Sequence, residues 1–249
     1  MIRQPLMALM LVLTPLGALA IESSPADVAA PVEAAVEPDP AVVQTQEIIR
    51  TSGLIGLSEQ ARNIAQQVLN EQAAPIGQQY DVVDRLTALW APVALEARFG
   101  RVLQTLSDTD RGALETLLAS RQLINLREKE EEAIRHQGSQ AYTTYVQRLR
   151  TSPPPPARVA LINELDQAMQ FSALMSLTRE QVYPQLQAVL RGWNPPAGWQ
   201  AALQQHVQEF LLYVHRSTPN DELQRLIQTY RQPVMQQWLA GVKGQLSAG

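Results

Sequence analysis

SGLIGLSEQ at residues 52–60 and SALMSLTRE at residues 172–180 repeat one spacing of serine, leucine and hydroxyl positions, 120 residues apart. A second echo follows each: Leu114, Leu117 and Leu118 against Leu223, Leu226 and Ile227, now 109 residues apart, so the intervening segments differ by 11 residues. The echoes read as one helical unit used twice. Each copy of the opening stretch reads as a capped junction between two helices, its leucines turned to the core.

Outward from these copies, composition points the same way. Of 249 residues 45% are apolar and 18% charged, an ordinary globular balance large enough to bury a core. The apolar set leans on Leu and Ala, with Gln abundant, which favours helix over strand. The expected class is all-α, a helical bundle of two similar multi-helix halves: residues 43–150, a Pro-rich hinge at 151–156 (TSPPPP), and residues 157–249. Two copies are too few for a solenoid, so the halves are expected to pack face to face, with a groove between them.

The first 20 residues have the pattern of a signal peptide: Arg3, an apolar run from Leu6 to Leu16, and Ala18-Leu19-Ala20 as the cleavage site. That run is shorter than a membrane span requires, and no later stretch approaches spanning length. Residues 21–42 alternate Ala, Pro, Val and acids without amphipathic period, which reads as a disordered tether. With no cysteine anywhere, disulfides and thiolate metal sites are excluded. The net charge of −4 lies entirely in this front part. Only Arg3 and five acids, Glu22, Asp27, Glu33, Glu37 and Asp39, precede the folded body, whose 19 bases balance 19 acids. A neutral body argues against nucleic acid as a partner. The expected location is periplasmic or secreted.

Along the chain, Ser58 with Glu59 and Gln60 reads as a helix start, and Thr178 with Arg179 and Glu180 as its counterpart. A third helix carries Val82, Leu86, Leu89, Trp90, Val93, Leu95 and Phe99, kinked or broken by Pro92. Ser107 to Asp110 caps the next. The run REKEEEAIR, 127–135, reads as a solvated face laced with ion pairs, although Glu132 and His136 share one face at i, i+4. Tyr142 and Tyr145 sit at helical spacing, either core or the lining of a groove. Trp193 and Trp199 flank a Pro- and Gly-rich loop, which they either clamp to the helices or offer to a sugar, ligand or membrane interface. These four aromatics are the candidate ligand or partner contacts.

No catalytic, cofactor or metal site emerges. His206 and His215 are nine residues apart, on opposite sides of one helix. There is no HExxH, no Gly-rich phosphate loop and no GxSxG. The expected function is therefore a non-catalytic binding module of the cell envelope, taking an envelope protein or a small apolar ligand. The alternative is an envelope or cell-wall hydrolase built from two carboxylates.

The segment ELQRLIQTYRQPVMQQWL, 222–239, with HVQEFLLYVHRSTPNDEL upstream, resembles a family of exported bacterial helical proteins, the one numbered 2059 among the domains of unknown function. Tyr230 and Pro233 fit that family's aromatic-x-Ser-Pro-x-Gly turn, with Gln232 in place of Ser and Met235 in place of Gly. The resemblance implies an all-helical periplasmic protein and brings no catalytic residues.

Overall fold

The computed structural model describes residues 40–248, and all their regular structure is helical. The expected signal peptide, and the tether up to residue 39, lie outside the described residues. The first helix, α1, spans Pro40–Ser52, so the last three residues assigned to the tether are helical instead; proline is tolerated at a first helical position, where its missing N–H has no partner to lose. A 3-10 turn, Leu54–Gly56, leads into α2, Leu57–Glu71. Then come α3, Ile76–Trp90; α4, Pro92–Gln104; α5, Asp108–Leu118; α6, Arg121–His136; and α7, Gln140–Thr151. The second part holds α8, Pro156–Met169; α9, Phe171–Val189; α10, Trp199–Val214; α11, Asn220–Tyr230; and α12, Pro233–Ser247.

Proline and serine punctuate these helices by familiar chemistry. Pro92, Pro156 and Pro233 each open a helix. The side chains of Ser107, Ser120 and Ser139 accept from backbone N–H groups of the turns they precede. The other two serine and threonine starts are corrected. Ser58 is buried inside the first turn of α2 and caps nothing; Gly56 precedes that helix. Thr178 lies in the middle of the unbroken α9, where its hydroxyl donates to the Leu174 carbonyl at 2.9 Å. SALMSLTRE is therefore no junction. Its break falls earlier, at Gln170 (φ +54), where Asp166 accepts from the Ser172 N–H and hydroxyl.

The helices before and after the proline tract interlock around one core running from Ile48 to Leu246. α2 packs on α9, α4 on α12, and α6 on α10, each contact crossing from one part to the other. Within the parts the pairings run in parallel: α1 rests on α4 and α5, as α8 rests on α10 and α11. The buried residues of α4 and its exit, Leu95, Phe99, Val102, Leu103 and Leu106, have the same spacing as Leu203, Val207, Phe210, Leu211 and Val214 in α10. α3 breaks the parallel, since only a loop joins α9 to α10.

Candidate functional site

Three places gather side chains that chemistry or binding could use. At the first, α6, α7 and α10 meet. The buried Tyr213 ring receives Tyr142 and Tyr145 edge-on, with centroids 4.8 and 5.3 Å away. His136 lies across it, with Nδ1 3.2 Å from the Tyr213 hydroxyl. The Arg216 guanidinium stands 4.3 Å over the ring and donates to Glu132 at 3.0 Å. Glu132 is also 3.8 Å from His136, so the i, i+4 pair does share a face. Tyr145 donates to the Leu212 carbonyl at 2.9 Å.

Burial, assisted by the Glu209 charge, pushes the Tyr142 hydroxyl up to about 12, so it stays protonated. Behind the cluster His215 is fully buried, its Nδ1 3.3 Å from the Thr218 hydroxyl. Burial first, then the Lys129 and Arg158 charges, lowers its pKa to about 3. This imidazole is sealed from solvent and neutral, placed as a core residue rather than a proton carrier. The aromatic and ionic contacts fasten α6 and α7 to α10.

The second place is the other end of α10, about 21 Å along its axis by helical rise. Trp193 and Trp199 close edge-on over Tyr183 of α9, at 5.5 and 5.3 Å. One turn before Tyr183 lies Arg179, also buried. The candidate aromatics of the sequence thus fall into two separate groups, each organised by a tyrosine that sequence reasoning left out.

The third place lies on α3, outside the four candidate aromatics. On α3, Val82, Leu86 and Trp90 enter the core, while Ile76, Tyr80 and Val83 at i, i+4 and i+7 line an outer stripe and are 70%, 64% and 48% exposed. The signal was present as an apolar arc wider than one buried face needs. Beside it Gln78, Asp81, Asp84 and Arg85 face Val189 and Arg191 across an open polar cleft.

Among the described residues no cluster of His, Asp and Glu could hold a metal ion, and no helix is long and apolar enough to cross a membrane. No family model, curated protein or solved structure matches the chain.

Proposed function

We propose that the chain is an exported, non-catalytic binding module of the cell envelope that docks a partner protein on the outer stripe of α3. The observation that carries this reading is the row Ile76, Tyr80 and Val83, left in water on a helix whose other face is already buried. Exposing large apolar groups in a row costs free energy that a covering surface recovers, about 25 cal/mol per Å². Tyrosine is a frequent anchor of protein contacts, and the polar flank at Gln78, Asp81, Asp84 and Arg85 supplies a rim. Export is supported by the first 20 residues, and membership of the helical family by the segment around Tyr230 and Pro233.

A photoreactive phenylalanine analogue at Tyr80 in the full chain, expressed in a bacterial host and irradiated, is expected to give a discrete adduct in the periplasmic fraction. The same label at exposed Gln66 of α2 is expected to give none. Equal labelling from both positions, or none from Tyr80, would sink the docking role. Recovery of the chain still starting at Met1 would sink export with cleavage.

A further inference from the structure

The corner formed by α9 and the loop after it holds a cation with no ion-pair partner among the described residues. Arg179 is 9% exposed. Its Nη1 is buried and has no hydrogen-bond partner, and none of the ion pairs among the described residues includes it. The guanidinium interacts with the Tyr183 side chain, one turn along α9, while the Glu71 carboxylate is near enough to Tyr183 to raise its pKa. A buried guanidinium without an acid is costly, and folds that retain one normally pair it with a carboxylate or a phosphate.

What lies next to this charge is an aromatic clasp. Trp193 and Trp199 enclose Tyr183, and both tryptophans are only partly buried. Trp193 rides on a loop bounded by Gly192 and Gly198, at φ +81 and +73. Side-chain ties of that loop are slight: Gln187 donates to Asn194 at 3.2 Å, and Asn194 to the Gly192 carbonyl at 3.5 Å. Such a loop can lift while the helices stay in place. Lifting it uncovers Tyr183, whose side chain meets the Arg179 guanidinium one turn away.

We propose that Arg179, Tyr183, Trp193 and Trp199 form a binding site for a small organic carboxylate with a flat or apolar body. The free Nη1–H donates to one carboxylate oxygen, a charge-assisted hydrogen bond. The indole and phenol rings cover the apolar body. This site lies on α9 and the loop, apart from the stripe on α3, so either can fail without the other.

The test is a titration of the mature protein with phenylacetate, indole-3-acetate and decanoate, and with phenylacetamide as the uncharged match, followed by tryptophan fluorescence and thermal shift. The other two tryptophans, Trp90 and Trp238, are buried elsewhere and common to all variants. At least one carboxylate is expected to saturate at submillimolar concentration and to bind about tenfold more tightly than the amide, a factor that corresponds to one charge-assisted contact. Arg179→Gln is expected to remove that preference. Trp193→Ala, a loop change that spares the helices, is expected to weaken all ligands alike. The proposal is overturned by an absence of saturation at millimolar concentration, by equal affinity for acid and amide, or by an Arg179→Gln protein that melts cooperatively and still prefers the acid. Should Arg179→Gln not fold, Trp193→Ala with undiminished affinity overturns it instead.

Discussion

At residues 52–60 the chain bends out of one helix, through a short turn, and into the next; at residues 172–180 it runs straight through α9. Both carry leucine in third and sixth position and a hydroxyl residue in seventh, so the apolar pattern cannot be what separates them. Glycine is. Gly53 takes φ +71, a conformation an L side chain resists, and the matching residue is Ala173. With alanine in place of that glycine, the helix continues and the buried face rotates. The fully buried leucine is Leu57 in the first segment and Leu174 in the second, which are not counterparts. Beyond it α2 buries Ala61, Ile64, Ala65 and Val68, whereas α9 buries Val182, Tyr183 and Leu186. The pairings of α1 with α4 and α5 run parallel to those of α8 with α10 and α11, whereas α2 and α9 differ at this glycine.

The largest expected effect tests another difference between the two parts, at the corners after α4 and α10. The first corner caps α5 with Ser107, whose Oγ accepts from the Asp110 N–H at 3.1 Å. The second buries His215 against Thr218 and gives α11 no side-chain cap. His215 in the unfolded chain protonates near its ordinary 6.5, whereas in the fold it resists protonation down to about 3. Between these values the unfolded chain binds more protons, so stability falls as pH falls from 6.5 to 3. The loss reaches an upper figure of about 5 kcal/mol at the acid end. Urea unfolding between pH 7 and 4 should show this slope, and His215→Gln should flatten it. An equal slope in the variant would mean that other groups carry the acid sensitivity.

Next in size is the crossing of α4 and α12, which ties the two parts together. A side chain at Gly241 would run into Val102. Gly241→Val should cost up to about 3 kcal/mol by overpacking, read as a lower urea midpoint at unchanged slope. Gly244, on the same helix, has nothing near it; Gly244→Ala should gain up to about 1 kcal/mol from helix propensity. Two losses of equal size would mean that the glycines matter for backbone freedom and not for the close approach.

How far the sequence disclosed this molecule follows from the range of each signal. The all-helical class, the break at Pro92 and the serine caps at 107 to 110 depend on neighbours within a turn or two, and they were legible. The joint placement of Glu132 and His136 was legible for the same reason. Tyr213 was not marked because its role comes from the rings of Tyr142 and Tyr145 on α7, which are remote from it in sequence. Arg179 sits where the first copy has Glu59, and nothing in TRE foretells that its guanidinium ends up inside. Burial of that kind is set by which helix comes to lie alongside, here α2 on α9.

The smallest expected effects bear on the glycine itself. In Gly53→Ala the first segment acquires the residue of the second, yet it should not become a straight helix. α1 and α2 are held at their angle by Ile48 and Ile49 on one side and Leu57 and Ala61 on the other, all buried. The alanine is therefore forced into the left-handed region, at about 1–2 kcal/mol, and its methyl displaces the Arg127 guanidinium that lies against Gly53. The reverse change, Ala173→Gly, should cost only about 1 kcal/mol, the price of glycine inside a helix. α9 should persist, because the packing of Leu174, Thr178 and Val182 holds it from both sides of the substitution. Amide exchange over residues 170–180 distinguishes the outcomes: modestly faster exchange at full protection elsewhere is expected, whereas loss of protection as far as Thr178 would mean that Ala173 alone keeps α9 continuous through this segment.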